Sequence, residues 1–333
     1  MEKEDVNCIF IDTGQHAGSL PDLFQTLELK KPEFYLSSRK SNVSTFPQSI
    51  LWTLEIFIKF IFKRTPFQHK DAYCVSHADN LTAMYGTILA KLSGLKTVHL
   101  EAGERTSTLF KPFPEEFVRR SLDYISTMNI TMSDISYQNL LEEKNNSINI
   151  NVSHSCAVDA MRTAIELKGK VDDLPDKYAV ASAHRIETIY NKDRLEIIVN
   201  TLIKVSQIMK VIFVVHDNTK AQLKKYKFWD KLNNDNIEKK SVINYVQFAQ
   251  ILSGAQFVFT DGGGLQDETY FVGVPCLVMM DETGKDPHPN VCLSKLSDEI
   301  IDAFINNYND YRTKNLLYAH NPSKDIVERL ISL

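Results

Sequence analysis

The residues Thr260-Asp261-Gly262-Gly263-Gly264-Leu265-Gln266-Asp267-Glu268 follow an apolar run, Ala255 to Phe259, that reads as a buried strand. A strand, a run of glycines and a helical segment together make a cradle for phosphate. Glycines let backbone N–H groups approach an anion closely, and the helix N-terminus adds partial positive charge. Glu268 lies about one helical turn past Gly264 and on the same face. From there its carboxylate reaches the hydroxyls of a ribose while the loop holds a diphosphate. A glycine-rich turn with no ligand would carry the same residues, so the rest of the chain must decide.

Other polar residues also follow apolar runs. Asp79 follows Ala72–Ser76, Glu101 follows Thr97–Leu100, His184-Arg185 follows Tyr178–Ala183, and His216 follows Val211–Val215. In open α/β sheets, ligands sit beyond the carboxyl ends of the strands. An acid, a second acid, a His-Arg pair, a histidine and a phosphate loop at such ends are expected to face one cleft. Each residue also has a plainer reading. Asp79 suits the N-cap of a helix starting near Leu81, and Glu101 suits a pair with Arg105, four positions on. Glu115 and Glu116 behind Pro114 suit the first turn of a helix. His77, His99 and His154 read as structural, so the functional case rests on the joint pattern.

Short apolar runs alternate with longer helical patterns along the chain. Strands are expected at Asn7–Ile11, Ala72–Ser76, Thr97–Leu100, Tyr124–Asn129, Ile148–Val152, Tyr178–Ala181, Lys210–Val215, Gln256–Phe259 and Pro275–Met279. Helices are expected at Asn80–Ser93, Glu115–Tyr124, Asp134–Glu142, Ala157–Leu167, Asp193–Ser206 and Val246–Leu252. Such alternation gives parallel sheets covered on both faces. The first series ends near Ser153 to Asp159, and a charged stretch, Lys168 to Lys177, precedes the second. The expected architecture is α/β, with two Rossmann-like doubly wound domains facing a cleft. The boundaries are 1–155 and 156–333, with the last helix, 322–333, packing back on the first domain.

The 333 residues suit two α/β domains. A net charge of −4 with acids and bases interspersed excludes a nucleic-acid surface. The five scattered cysteines, Cys8, Cys74, Cys156, Cys276 and Cys292, read as reduced core thiols of a cytoplasmic protein rather than a disulfide framework or zinc site. The N-terminus has no apolar signal core. Ser49 to Phe62 is strongly apolar, but it is too short to span a membrane and is interrupted by Glu55 and Lys59. It reads as an amphipathic helix buried against its domain or a second subunit.

Several motifs resemble those of the UDP-N-acetylglucosamine 2-epimerases. They are His99-Leu100-Glu101-Ala102-Gly103-Glu104-Arg105-Thr106, Pro112-Phe113-Pro114-Glu115-Glu116 with Arg119, and Ala183-His184-Arg185-Ile186-Glu187. Val215-His216, the glycine run through Glu268 with Gly273-Val274-Pro275, and Ala319-His320-Asn321-Pro322 follow in order. The chain departs from the pattern in places. The family's opening strand and Gly-Thr-Arg-Pro-Glu loop have no counterpart, and Asn7–Gln15 resembles the family's second strand. Gly262 stands where a serine is usual and Ile186 where a second arginine is. Ser153–Cys156 replaces a Gly-Asn-Thr hinge, and Asp281 to His288 differs as well.

The resemblance implies a glycosyltransferase-B-like fold, a homodimer, and UDP held mainly by the C-terminal domain, with no cofactor and no metal. It also implies the reaction. The C2 hydrogen of UDP-GlcNAc is not adjacent to a carbonyl, so UDP is eliminated across C1–C2 and added back with the proton on the other face, giving UDP-ManNAc. Hydrolysing relatives release ManNAc and UDP instead, others act on modified UDP-HexNAc sugars, and a UDP-sugar binding protein without turnover would share the fold. Asp79, Glu101 and Glu115 match the family's acids for proton transfer and for stabilising positive character at C1. His184, Arg185 and the N–H groups of Gly262, Gly263 and Gly264 would meet the departing diphosphate, and Glu268 the ribose. His16, in Thr13-Gly14-Gln15-His16, together with His216 and Arg119, matches positions that line the substrate site. Surface-polysaccharide biosynthesis is the implied setting.

Overall fold

A computed structural model describes residues 6–332 apart from 19, 44, 63–66, 68–70, 107–113, 168–170, 172–173 and 282–287. Lys63-Arg64, Pro112-Phe113, Lys168–Lys170, Asp172-Asp173 and Glu282–Pro287, named above, lie outside the described residues. The chain divides into two compact units, residues 1–156 with 321–333 and residues 157–320.

In the first unit a short parallel pair, β1 (Ile11–Asp12) and β2 (Phe34–Tyr35), flanks the helix α1 (Leu20–Thr26) in sequence. Helix α2 (Phe46–Ile61) follows. Then β3 (Tyr73–His77), α3 (Leu81–Leu92), β4 (Lys96–Leu100), α4 (Glu115–Ile125), β5 (Met128–Thr131), α5 (Asp134–Glu142) and β6 (Ile148–Asn151) alternate, and the four strands pair in parallel in the order β3-β4-β5-β6. Local capping explains where the helices start. The Asn80 side chain accepts from the Ala83 N–H ahead of α3, and the Ser133 hydroxyl from the Ser136 N–H ahead of α5. The Tyr124–Asn129 strand expectation is corrected. The apolar run is split, its first part closing α4 at Ile125 and its last part entering β5 at Met128. Tyr124 is exposed, as a helix surface position is.

The second unit holds α6 (Ala157–Glu166), β7 (Tyr178–Ala183), α7 (Ile186–Ile189), α8 (Lys192–Ser206), β8 (Lys210–Val215), α9 (Asp217–Lys225) and β9 (Ile237–Ser241). It continues with α10 (Tyr245–Ser253), β10 (Val258–Thr260), α11 (Gly264–Val272), β11 (Cys276–Val278), β12 (Val291–Leu293) and α12 (Asp298–Asn307). Its six strands are all parallel, in the order β12-β11-β10-β7-β8-β9. Counted from β7, this is the 3-2-1-4-5-6 arrangement of a dinucleotide-binding sheet, and the strand order reverses between β7 and β10. All of β7 and β10 is buried, and Phe213, Phe257, Phe259 and Phe304 fill the core. Burial on both faces is why these strands read as continuous apolar runs.

The last helix, α13 (Pro322–Ile331), belongs to the first unit, where Ile326 and Leu330 pack with Val98, Met128 and Ile130. Among the described residues no helix is long and apolar enough to cross a membrane. Helix α2 buries Trp52 and Ile56 but exposes Leu51, Leu54, Ile58 and Ile61.

Candidate functional site

In the first unit, β3 and β4 end in the same way. Ala78 (φ 61°) and Glu101 (φ 65°) both adopt left-handed backbone, and Gly103 (φ 81°) follows. Non-glycine residues hold that conformation at a cost of about 1–3 kcal/mol each, so surrounding contacts must impose it. At Gly103 only glycine fits, because a Cβ would lie 2.2 Å from the Ser136 carbonyl oxygen. The imposing contacts lie within the unit. The Ala78 N–H donates to the Leu100 carbonyl at 3.2 Å. His99, fully buried, joins the Ala78 carbonyl at 3.1 Å through Nε2 and Asp123 at 2.8 Å through Nδ1. Asp123 also accepts from the Gly103 N–H (3.2 Å) and from Arg105 (2.8 Å). Burial would lower the Arg105 pKa, but Glu143 and Asp123 outweigh it and hold the guanidinium charged.

These turns place Asp79 and Glu101 at the carboxyl ends of adjacent strands. The cap ahead of α3 is Asn80 rather than Asp79, which leaves the Asp79 carboxylate to pair with Arg119 Nη2. Arg105 binds Asp123 and Glu143, and the Glu101 carboxylate lies 3.9 Å from His77 Nε2. Glu115 opens α4, and its buried Oε2 makes no hydrogen bond among the described residues. Glu116, 0% exposed, accepts from Arg119 Nη1 (2.7 Å), Arg120 Nε (2.8 Å) and the Thr106 N–H (3.3 Å). Arg119, one turn beyond Glu115, thus ties the start of α4 to the end of β3. His16 is exposed in its turn, where the Thr82 hydroxyl meets the Thr13 hydroxyl at 2.9 Å and donates to the Gln15 amide oxygen at 2.6 Å.

In the second unit, the residues sit where the strand order reverses. Asp261, fully buried after β10, accepts from the His184 N–H (3.0 Å) and the Arg185 N–H (3.0 Å), both after β7. It therefore joins the carboxyl ends of the two central strands. His184 lies beside His216, ring centroids 4.9 Å apart and tilted by 30°, and its Nδ1 lies 3.7 Å from Asp261 Oδ1. Burial, then the neighbouring His184, lowers the His216 pKa below its ordinary value. Arg185 pairs with Glu187 at 2.6 Å. Gly263 caps α11, so the first-turn amides of the helix point from Gly264 onward. The Gly262 N–H is taken by the Thr260 hydroxyl at 2.9 Å, and a Cβ at Gly262 would lie 3.1 Å from His184 Cε1. Glu268 accepts from the Tyr245 hydroxyl at 3.0 Å; burial and Glu268 push the Tyr245 pKa well up, so the phenol stays protonated.

The structure thus gathers Asp79, Glu101, Glu115 and Arg119 at one end of the first sheet. It gathers His184, Arg185, His216, Gly262–Gly264 and Glu268 at the switch point of the second. Sequence reading assigned no site role to Asp123, Asp261 or Tyr245, and took Glu116 only as a first-turn helix acid. Asp261 was open to suspicion, because it lies inside the glycine run. Glu116 bonds Arg119 and Arg120 at helical spacing, three and four positions on, whereas Asp123 and Tyr245 act over long sequence separations that no local pattern records. Among the described residues no group of three or more His, Cys, Asp or Glu side chains is placed to hold a metal ion.

The family model described as UDP-N-acetylglucosamine 2-epimerase matches residues 1–327. A UDP-N-acetylglucosamine 2-epimerase of Methanocaldococcus jannaschii is 28% identical over 297 residues, covering 85% of this chain and 78% of the relative. A UDP-N-acetylglucosamine 2-epimerase homolog of Methanococcus maripaludis is 30% identical over 286 residues, covering 83% and 76%. The crystal structure of UDP-GlcNAc 2-epimerase from Neisseria meningitidis, bound to UDP-GlcNAc, superposes with a TM-score of 0.79 at 24% identity, covering 96% of this chain and 90% of that one. That likeness shows the fold, glycosyltransferase-B-like, with a Rossmann-like sheet in each unit.

Proposed function

The chain belongs to the UDP-N-acetylglucosamine 2-epimerase family, and from that premise we propose how it works. It is an isomerase that epimerises UDP-GlcNAc at C2 to UDP-ManNAc. The C2–H bond and the C1–O bond to UDP break in the forward half, leaving a glycal and UDP. The return half re-forms C1–O and delivers a proton to the opposite face of C2. Asp79, Glu101 and Glu115 of the N-terminal domain (1–155) carry the proton transfers and stabilise positive charge at C1. The C-terminal unit (157–320) holds UDP: His184, Arg185 and the helix end at Gly263-Gly264 meet the diphosphate, and Glu268 the ribose. His16 and His216 line the substrate site.

The observation that carries this reading is the family match over residues 1–327 in a chain that keeps Asp79, Glu101 and the glycine cradle at strand ends and Glu115 at the start of α4. The exposed apolar stripe of α2, Leu51, Leu54, Ile58 and Ile61, supports a homodimer, since such a stripe is covered most simply by its own copy. The setting proposed is cytoplasmic, feeding a surface polysaccharide. NMR of the purified protein with UDP-GlcNAc tests the reaction, and UDP-ManNAc is the expected product. Free ManNAc with UDP would replace this reading by hydrolysis, and UDP binding without any product would overturn turnover.

A further inference from the structure

We propose that Arg119 is a positioning residue which holds the Asp79 carboxylate through an ion-pair chain anchored on the buried Glu116, rather than a group that touches the nucleotide sugar. This rests on the reading of Asp79 as a proton-transfer acid.

The Arg119 side chain is 10% exposed, and both of its terminal nitrogens meet carboxylates inside the unit. Nη2 bonds Asp79 and lies 3.7 Å from Glu104, while Nη1 bonds Glu116 at 2.7 Å. A planar guanidinium that serves two carboxylates at once fixes both the distance and the angle between them. The anchor is strong, because Glu116 is fully buried and is held from its other oxygen by Arg120 at 2.8 Å. Arg120 in turn meets Glu143 at 3.1 Å, which Arg105 grips together with Asp123. The chain therefore runs from Asp79 to Asp123, which itself fixes the Gly103 turn and His99.

Asp79 needs such an anchor. It follows Ala78 in left-handed backbone, and the cap of α3 is supplied by Asn80, so helix formation does not orient its side chain. Arg119 supplies the missing constraint, and Glu116 has a role beyond favouring a helix N-terminus. A lysine at 119 would keep the charge but, as a point donor on a flexible stem, would serve one carboxylate at a time.

The test follows exchange at C2 of UDP-GlcNAc and UDP affinity in R119M, R119K, D79N and D79N/R119M. Misplacing a reacting group by about 1 Å costs about 100-fold, so R119M should lose about that factor in kcat. KM and the UDP dissociation constant should stay within about threefold, since no ligand contact is removed. R119K should recover part of the loss, and the double variant should be no slower than D79N, because two residues acting through one carboxylate are not additive. A rise in KM that matches the fall in kcat, or losses that multiply in the double variant, would overturn the proposal. The Arg119 guanidinium resonances in NMR give a readout independent of turnover: they should move in D79N, and stationary resonances would also overturn it. If wild-type protein exchanges nothing, or D79N exchanges as fast as wild type, the functional reading of Asp79 fails instead, and the resonances still decide the clamp.

Discussion

Asp261→Asn should separate the two central strand ends of the second unit. In the native protein both carboxylate oxygens accept backbone N–H groups: Oδ1 and Oδ2 lie 3.0 and 3.1 Å from the His184 N–H, and Oδ2 lies 3.0 Å from the Arg185 N–H. Asparagine offers one oxygen, and its amide nitrogen would face an N–H donor in a site with no solvent access. At least one charge-assisted hydrogen bond is lost and one buried donor is left without an acceptor, about 2–4 kcal/mol together. For a unit of this size the melting temperature should fall by about 5–15 °C. The same bonds set the His184-Arg185 corner against the glycine run, so UDP affinity should fall as well. Thermal unfolding with and without UDP, paired with calorimetry, reads both effects. A melting temperature within about 2 °C of wild type, with unchanged UDP affinity, would refute the claim that Asp261 ties β7 to β10.

Further perturbations follow from the same contacts. Burial alone would raise the Glu55 pKa, but hydrogen bonds from Ser37, Ser38 and Lys59 hold it at about 2, against 4.5 for the free group. A depressed carboxylate stabilises the fold above pH 4.5 and loses that contribution as pH falls toward 2. Glu55→Gln should therefore be less stable than wild type at pH 7 and converge with it at pH 2–3 in urea melts; parallel curves would contradict the assignment. Tyr245→Phe removes the donor that orients Glu268 at 3.0 Å, and the UDP dissociation constant should rise by about three- to tenfold in calorimetry. An unchanged constant would remove Glu268, or its orientation, from ribose binding. In NMR titration His216 should bind its proton below pH 6.5, and His184→Ala should move that midpoint upward, because a like-charged neighbour is removed; a midpoint that does not move would show that burial alone accounts for the shift.

How much of this was legible beforehand depended on the range of the interactions. The buried strands β8 and β7 announced themselves as apolar runs, and Asp134–Glu142 was placed to the residue as α5. The edges did not. Ile237-Glu238-Lys239-Lys240-Ser241 forms β9 with two lysines and a glutamate, as a solvated sheet edge does, and so lacks the apolar signal. Strands β2 and β12 are two and three residues long, below any periodicity, and the polar α9 offers little apolar signal. At the site, residue types and strand-end positions could be read locally, which is why the acids and the glycine run stood out. Their mutual arrangement could not. The cap that Asp79 leaves to Asn80 differs by one residue of equal capping chemistry, and the pairs Asp79–Arg119, His99–Asp123 and Tyr245–Glu268 join positions 40, 24 and 23 residues apart.

Isotope incorporation during turnover tests the central claim most directly. In deuterium oxide, UDP-GlcNAc recovered before equilibrium, together with the UDP-ManNAc formed, should carry deuterium at C2, because a carbon-bound hydrogen leaves and returns through acids open to solvent. Glu101→Gln should abolish that incorporation while UDP still binds. UDP-ManNAc that forms without solvent deuterium at C2, or a Glu101→Gln protein that exchanges at the native rate, would contradict the account.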